Sequence, residues 1–339
     1  MNTNDYTETN PPALAGGTEV AINNIAIPEN LQQIAQQLGR KLKMINLFCG
    51  FGGVSTAAHE TGIIDEVLAI DNWDVAGKVL HHNFPAVDFW NTDISALGEH
   101  DILRRTLLQK GEADIGVVTA PCPPFSTAKG YIDCLDPLAW LFINGIEQLA
   151  NTLPKCAFIE NVPGMKDDRA IPIFNEIKHQ IHEKLDPHYN VRCYKLDASY
   201  FRVPQTRTRL IWLLYRRDLG IIPTAPKPFF NGRELLRLGI VCPDILNVKV
   251  GQSKKTWKFN AIMNTITASE GGIEALRIDG ARTKLYIPEL LKLDTFPTWY
   301  TIPDGIKYDD VHRGLGNVVP VKLAQAILEH MIIELAGKF

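Results

Sequence analysis

Short apolar runs alternate with longer segments of helical periodicity between residues 43 and 185. The runs lie at 44–48, 67–70, 87–90, 115–119 and 156–159. Each ends in a polar or glycine-containing turn, and helical stretches follow most of them. Strands that alternate with helices form a parallel sheet covered by helices on both faces. The alternation therefore predicts an α/β fold with a doubly wound, mostly parallel sheet. Two later runs, 191–196 and 210–215, predict an antiparallel hairpin at one edge of this sheet.

Composition divides the chain into four parts. Residues 1–40 are rich in Asn, Thr, Pro and Gly, which predicts a largely disordered leader with one short helix at its end. Residues 41–215 carry the alternating pattern and predict the main domain. Residues 216–262 lose the alternation and predict a small inserted module. Residues 263–339 include an apolar stripe at helical spacing, so we expect them to return to the main domain and complete it.

The bulk composition is typical of a soluble globular protein. Apolar residues make up 45% of the chain and charged residues 22%. No apolar stretch approaches the length of a membrane helix, and the first 20 residues lack the pattern of a signal peptide. The six cysteines show no CxxC pair, which argues against a zinc site and a disulfide framework. We therefore expect a cytoplasmic protein with no metal and no membrane partner.

Positive charge is concentrated in the predicted module, although the whole chain has a net charge of −3. The basic residues of this segment are Arg216, Arg217, Lys227, Arg233, Arg237, Lys249, Lys254, Lys255 and Lys258. Only Asp218, Glu234 and Asp244 oppose them. A basic module on an acidic body is compatible with phosphate binding. It is equally compatible with a solvated lysine-rich surface.

A cysteine between two prolines, Cys122, follows one apolar run, and Glu160 follows the next. Open α/β sheets place their chemistry at the carboxyl ends of neighbouring parallel strands, so we expect these side chains to lie close together. A thiol beside a carboxyl group that can hold a proton suits attack on an electron-poor ring. The alternatives are an inert buried cysteine and a structural ion-pair partner. Arg207 and Arg209, two apart on a predicted strand and therefore expected to point the same way, favour the chemical interpretation.

A glycine-rich turn, CGFGG at 49–53, lies between the first predicted strand and its helix. Such a turn lets a ligand approach the backbone, but Ser55 at the third position of the dinucleotide fingerprint argues against a pyrophosphate. Asp71 ends the next predicted strand and could bind ribose hydroxyls, and Asp93 could bind an adenine amino group. Alternatively, the glycines only tighten the turn and the aspartates cap helices. S-adenosylmethionine carries no phosphate and suits this site.

Seven short blocks resemble, in order, those of the DNA (cytosine-5) methyltransferase family. They are LFCGFGGVS (47–55), APCPPFS (120–126), ENV (160–162), QTRTR (205–209), NTITAS (264–269), LLKLDTFPTWY (290–300) and GLGNVVP (314–320). Each block is short, and their order is what makes the resemblance specific. The chain departs from the usual pattern at Pro123, where Gln is common, at Asn46, where Asp is common, and at Ala57, where Gly is common. The last two are expected on the cofactor side.

The resemblance implies methyl transfer from S-adenosylmethionine to C5 of a flipped-out cytosine in a specific short sequence of double-stranded DNA. Cys122 would add to C6 of the ring, and a protonated Glu160 would support N3. One of Arg207 and Arg209 would contact the cytosine carbonyl, and the other would hold a loop or a phosphate. The main domain would then be catalytic and cofactor-binding, and the module would recognise the target. We expect a monomer.

The resemblance also implies binding residues. The expected cofactor contacts are Phe48, Gly50, Gly52, Gly53, Asp71, Asp93 and Asn317. The expected DNA contacts are Lys129, Arg233, Arg237, Lys254 and Lys255. Two alternatives stay open: a tRNA cytosine-5 methyltransferase on the same fold, and a non-catalytic DNA-binding relative. A nicotinamide oxidoreductase on a doubly wound sheet is disfavoured by Ser55 and by the Pro-Cys-Pro loop.

Overall fold

The computed structural model describes residues 29–121, 137–229, 237–250, 256–258, 261–266, 268 and 273–338. Several sequence predictions fall on other residues and therefore lie outside the described part of the chain. These are the leader over 1–28 and the functional assignments of Cys122, Lys129, Arg233, Lys254 and Lys255.

A mostly parallel sheet forms the centre of the main domain. The strands of the chain up to residue 216 are β1 (Leu42–Leu47), β2 (Ile64–Asp71), β3 (Phe89–Asn91), β4 (Ile115–Val118), β5 (Cys156–Asn161), β6 (Tyr189–Asp197), β7 (Gln205–Thr206) and β8 (Thr208–Arg216). Seven of them pair in the order β3-β2-β1-β4-β5-β8-β6. Strands β1 to β5 are parallel, and β8 runs antiparallel to both β5 and β6. The predicted sheet is confirmed, but β8 lies inside it, so only β6 of the predicted hairpin is at the edge.

Helices cover both faces of this sheet. They are α1 (Glu29–Leu38), α2 (Gly53–Thr61), α3 (Asp74–Asn83), α4 (Asp101–Thr106), α5 (Pro137–Thr152), α6 (Ile171–Gln180), α7 (Leu238–Val241), α8 (Ile287–Leu293), α9 (Tyr308–Asn317) and α10 (Val321–Ala336). One apolar cluster joins the sheet to α1, α2, α3 and α10, and a second joins it to α4, α5 and α6. The stripe of α10, including Leu323, Ile327 and Met331, is buried in the first cluster, which also includes residues of the main sheet.

A small antiparallel sheet lies outside the main one. Its strands are β9 (Ile245–Val250), β10 (Thr256–Lys258), β12 (Ile273–Arg277) and β13 (Arg282–Lys284), in the order β10-β9-β12-β13. Between them in sequence, β11 (Met263–Asn264) pairs with β7. Strand β12 pairs with β9, and β13 pairs with β12, so the small sheet continues past the predicted module boundary at 262. That boundary followed local composition, whereas hydrogen bonds between distant segments define the sheet.

The order of the parallel strands reverses between β1 and β4. The loops after these two strands therefore separate at the carboxyl edge of the sheet, which is where open α/β folds bind ligands. The loop after β1 is the glycine-rich turn, and the segment after β4 leads to Cys122. The fold thus brings the two blocks predicted to carry the chemistry to the same edge.

Candidate active site

A pocket opens at this carboxyl edge. Its lining includes Phe48, Gly50, Gly53, Asp71, Trp73, Asp93, Pro121, Glu160, Arg209, Arg313 and Asn317. These residues follow or end β1, β2, β3, β4 and β5, begin β8, or lie on α9. Six of the seven predicted cofactor residues therefore line one pocket. The exception is Gly52, which adopts a left-handed conformation (φ 73°) and caps the start of α2, so its role is to turn the chain.

The glycine-rich turn is shaped by backbone contacts. The Gly50 amide donates to Asp71 Oδ2 at 2.8 Å, and the Trp73 amide donates to Oδ1 at 3.0 Å. A Cβ atom at Gly53 would lie 2.2 Å from the Val319 carbonyl oxygen. Only glycine therefore lets α2 begin so close to the segment that follows α9. This contact joins the first and last blocks of the sequence resemblance at the pocket.

The acids of the pocket combine structural and binding roles. Burial raises the pKa of Asp71, and the amides of Gly50 and Trp73, together with the charge of Arg313, oppose that rise. Asp93 Oδ1 accepts hydrogen bonds from the amide and hydroxyl of Ser95, which caps a short 3₁₀ helix. Asp93 thus caps a helix, as the alternative interpretation held, and also lines the pocket.

An aromatic pair forms one wall of the pocket. The rings of Phe51 and Trp73 stack with their centroids 5.3 Å apart, and the Arg313 guanidinium carbon lies 4.9 Å from the centre of the Trp73 ring. A Cβ atom at Gly314 would lie 2.5 Å from the Phe51 ring, so α9 packs directly on it. Neither Trp73 nor Arg313 was predicted from the sequence to line the pocket. An aromatic residue two positions after a strand-end acid was the available signal for Trp73.

Glu160 and Arg209 form a buried ion pair on the pocket wall. Glu160 lies near the end of β5 and Arg209 near the start of the antiparallel strand β8, so the register of the two strands brings them together. Arg209 Nε donates to Glu160 Oε1 at 2.7 Å, and each residue is 7% exposed. Burial raises the pKa of Glu160, while the charges of Arg209 and Arg207 oppose that rise. The pKa of Glu160 is raised overall, so its carboxyl group is easier to protonate than that of a free glutamate.

Arg207 does not line the pocket, and its contacts correspond to the second role expected of the two arginines, that of holding a loop. Its guanidinium donates to the carbonyl oxygens of Ile266, Gly316 and Val318 at 2.7–2.9 Å, and the residue is 1% exposed. It lies between β7 and β8, so the strand parity assumed for the two arginines does not hold. Arg207 instead anchors the segment around Asn317, which lines the pocket. It is a positioning residue.

Asn161 fixes the approach to the predicted nucleophile. Its Nδ2 donates to the Ala120 carbonyl oxygen at 3.1 Å, which ties the end of β5 to the segment that follows β4. The next residue, Pro121, lines the pocket, and Cys122 follows it directly. The chain therefore leads to the cysteine at the edge that carries Glu160, although the thiol itself lies outside the described residues.

The departures at Asn46 and Ala57 lie on β1 and α2, the two elements that flank the glycine-rich turn, and neither residue lines the pocket. Both residues are fully buried. Asn46 Nδ2 and the Ser55 hydroxyl both donate to Glu66 Oε1, at 2.8 and 2.9 Å. Burial raises the pKa of Glu66 to about 7. Ser55, at the third glycine position, is thus part of a buried polar cluster under α2.

Other expectations concern the surface. Arg237, the one predicted DNA contact within the described ranges, is exposed just before α7 and does not line the pocket. Among the described residues, no group of three or more His, Cys, Asp or Glu side chains is placed to hold a metal ion. In the same part of the chain, no helix has the length and apolar character needed to cross a membrane.

Known proteins are similar to this chain in sequence. Residues 42–276 match the family model of the C-5 cytosine-specific DNA methylase. The type II methyltransferase M.BspRI of Lysinibacillus sphaericus is 25% identical over 85% of this chain and 80% of its own length. The tRNA (cytosine(38)-C(5))-methyltransferase of Spodoptera frugiperda is also 25% identical, over 85% of this chain and 98% of its own length. The similarity thus includes both a type II methyltransferase and a tRNA methyltransferase.

Solved structures share the fold. A variant of Spodoptera frugiperda DNMT2 aligns with a TM-score of 0.63 and 20% identity, covering 86% of this chain and 99% of that one. The Entamoeba histolytica methyltransferase EhMeth aligns with a TM-score of 0.65 and 17% identity, covering 87% and 99%. These likenesses identify the Rossmann-like fold of methyltransferases that use S-adenosylmethionine. Since the family model spans well over half of the chain, the protein belongs to the C-5 cytosine-specific DNA methylase family.

Proposed function

We propose that the protein transfers a methyl group from S-adenosylmethionine to C5 of a cytosine in a short double-stranded DNA sequence. The main support is the buried Glu160–Arg209 pair, because its carboxyl lies on the pocket wall with a raised pKa. The segment that enters Cys122 lines the same pocket through Pro121. An acid able to hold a proton and a potential sulfur nucleophile thus belong to one edge of the sheet.

The pocket suits S-adenosylmethionine. Phe48 and Trp73 offer aromatic surface to the adenine, and Asp71 offers a carboxylate to the ribose hydroxyls. Asn317 offers an amide to the polar amino-acid end. When bound, the cofactor supplies an electrophilic methyl group on a sulfonium centre. The protein contributes orientation and the exclusion of water around that group.

The proposed chemistry begins at the substrate ring. The Cys122 thiolate forms a bond to C6, and the electron pair of the C5–C6 double bond moves through the ring while Glu160 donates a proton to N3. C5 would then be nucleophilic and would take the methyl group, while the electron pair of the broken methyl–sulfur bond would return to sulfur and leave a neutral thioether. Loss of the C5 proton to water then restores the double bond and expels Cys122, and N3 returns its proton to Glu160. The ion pair with Arg209 holds the carboxyl in position throughout.

The target base must leave the helix for this reaction. A cytosine stacked in a duplex cannot reach a pocket at the edge of the sheet, so it must rotate out of the helix at a cost of a few kcal/mol. A polar, glycine-containing segment from Ser126 to Asp133 follows the nucleophile in the sequence. That segment lies outside the described residues and includes Lys129.

A tRNA substrate is the second candidate. It is favoured by the similarity to the tRNA (cytosine(38)-C(5))-methyltransferase, which spans 98% of that relative. The same pocket chemistry applies to either polymer, so the nucleic-acid surface outside the pocket must make the distinction.

The test is methyl transfer from radiolabelled S-adenosylmethionine to unmethylated genomic DNA and, in parallel, to unmodified total tRNA. The proposal predicts label in DNA as 5-methylcytosine and little in tRNA, with none from the Cys122→Ala variant. Label confined to tRNA would replace the proposal with its alternative. Binding of DNA and cofactor without transfer to either polymer would instead indicate a non-catalytic relative.

A further inference from the structure

Asp294 carries a buried carboxyl group that the proposed chemistry does not use. It follows the last residue of α8 directly and is fully buried. Its Oδ1 accepts a hydrogen bond from Gln205 Nε2 at 2.8 Å, whereas its Oδ2 has no hydrogen-bond partner among the described residues. A buried polar atom without a partner costs free energy, so the presence of this carboxyl group calls for a physical reason.

Gln205 connects Asp294 to a residue that Arg207 also holds. Gln205 Oε1 accepts a hydrogen bond from the Ile266 amide at 3.0 Å, and Arg207 Nη1 donates to the Ile266 carbonyl oxygen at 2.8 Å. Both polar groups of the Ile266 backbone are thus bound by side chains that lie two positions apart in the sequence. All four residues are at most 1% exposed, so water does not compete for these hydrogen bonds. A shift of Gln205 would therefore be transmitted to Ile266 and Arg207.

The same residues hold the chain that joins α9 to α10, residues 316–322, hereafter the 316–322 segment. Arg207 Nη2 donates to two carbonyl groups of this segment at 2.7–2.9 Å. The Asp294 carbonyl oxygen accepts from the Val321 amide at 3.0 Å, so the segment is held near both of its ends. Its pocket-lining residues are Asn317, Val318 and Val319. The contacts of Asp294 therefore lead to one wall of the pocket.

The turn after Asp294 adds a further contact to the 316–322 segment. Thr295 has a φ of 62°, a left-handed conformation that is a genuine outlier for a β-branched residue. Its hydroxyl donates to the Asp294 carbonyl oxygen at 2.7 Å and accepts from the Lys322 amide at 3.0 Å. A strained backbone of this kind persists only where the surrounding contacts fix it, and such strain clusters at functional sites.

We propose that Asp294 is a positioning residue for the cofactor pocket, which acts through Gln205 and Arg207 to hold the 316–322 segment against the glycine-rich turn. The inference rests on the proposed function, because that assigns S-adenosylmethionine to the pocket. Asp294 itself does not line the pocket. Burial raises its pKa to about 7, while the charges of Arg207 and Arg209 oppose that rise. Both protonation states keep an oxygen that accepts from Gln205, so the hydrogen bond carries the role.

The test measures the Kd of S-adenosylmethionine by isothermal titration calorimetry, corrected for the folded fraction from thermal unfolding. The variants are Asp294→Ala, Gln205→Ala, the double variant with both changes, and Asp294→Asn, which keeps an oxygen acceptor for Gln205. The matched control is Asp114→Ala, which removes an equally buried carboxyl group at the amino edge of the sheet. The control separates a loss of stability from a loss of positioning.

Asp294→Ala and Gln205→Ala should each raise the Kd by about tenfold, and the double variant should raise it no further, because both changes break the same hydrogen bond. Asp294→Asn should stay within about threefold of the wild type, since its amide oxygen replaces the lost acceptor. Asp114→Ala should lower the unfolding temperature and leave the Kd unchanged. A residue with only a structural role would behave as this control does.

An unchanged Kd for folded Asp294→Ala, additive effects in the double variant, or equal effects of Asn and Ala at position 294 would overturn the proposal. If Asp294→Ala does not fold, Gln205→Ala decides the outcome, and an unchanged Kd there overturns the proposal. A wild type that does not bind S-adenosylmethionine would overturn it as well. Failure of the proposed function is a separate result, namely no methyl transfer to DNA by a wild type that binds the cofactor.

Discussion

Two buried carboxylates lie at opposite edges of the main sheet and differ in their partners. Asp114, at the amino edge just before β4, is fully buried and binds Arg40, Lys155 and a backbone amide at 2.6–2.9 Å. Burial raises its pKa, but these donors outweigh burial and lower it overall. Glu160, at the carboxyl edge, has Arg209 as its ion-pair partner, and its pKa is raised.

The two carboxyl groups therefore suit different roles, a structural one for Asp114 and a chemical one for Glu160. Asp114 is held as an anion, which suits a permanent structural bond between chain segments. Glu160 is buried to a similar degree but compensated by fewer donors, so its protonated form is more accessible. Pairing of this kind, in a pocket, marks a candidate for acid chemistry. Variants at the two sites test this difference. A change at Glu160 should lower activity, whereas a change at Asp114 should lower stability and leave cofactor binding unchanged.

The largest effect is expected on activity, from Glu160→Gln. Glutamine keeps the shape but cannot donate a proton, so the rate of methyl transfer in a single turnover should fall by roughly 10²–10⁴. Urea unfolding should also reveal a loss of stability, because the buried guanidinium of Arg209 loses its charged partner, so the rate of methyl transfer is measured on the folded fraction. A variant with near wild-type turnover would remove the acid role from Glu160.

The next effect is expected on stability, from Asp114→Asn. Arg40 and Lys155 would lose their shared partner, and we expect the free energy of unfolding to fall by about 3 kcal/mol, less than for a fully buried pair since both cations are partly exposed. Cofactor affinity, measured by calorimetry on the folded fraction, should be unchanged. If instead Asp114→Asn weakened cofactor binding without loss of stability, the structural role assigned to Asp114 would be wrong.

A smaller effect on stability, which depends on pH, is expected at a third buried carboxyl group, that of Glu66. Its folded-state pKa, about 7, is above the value of an unfolded glutamate, so its contribution to stability is present at low pH and lost as pH rises towards 7. Glu66→Gln should remove this loss. We therefore expect the variant to gain roughly 1–3 kcal/mol over the wild type at pH 8 relative to pH 5, measured by urea unfolding. An equal difference at both pH values would contradict a buried, titrating Glu66.

The sequence predicted those features that depend on strand ends. Glu160 and Asp71 were expected at the carboxyl edge of the sheet, and both line the pocket. A side chain at the end of a parallel strand lies at that edge. The sequence left open which of Arg207 and Arg209 would hold a loop, since the contacts of Arg207 depend on the break between β7 and β8 and on carbonyl groups about 60 to 110 residues away. Arg313 was missed for a similar reason, because only packing of α9 on the glycine-rich turn brings it to Trp73.

The boundary of the small sheet illustrates the same limit. Basic composition ends near residue 258, but the sheet closes through pairing of β9 with β12 and of β12 with β13. Pairing between distant segments leaves no local signature. The charges of Arg282 and Lys284 become part of one surface only after the strands are aligned.

The most direct test of the central claim is to trap the sulfur–carbon bond. The wild-type protein is incubated with S-adenosylmethionine and duplex DNA in which 5-fluorocytosine replaces cytosine. Fluorine at C5 cannot leave as a proton does, so the proposed reaction must stop with Cys122 joined to C6. The account predicts a denaturation-resistant protein–DNA complex that maps by mass spectrometry to the peptide containing Cys122 and is absent from Cys122→Ala. No adduct from a wild-type preparation that methylates ordinary DNA, or an adduct on another residue, would contradict it.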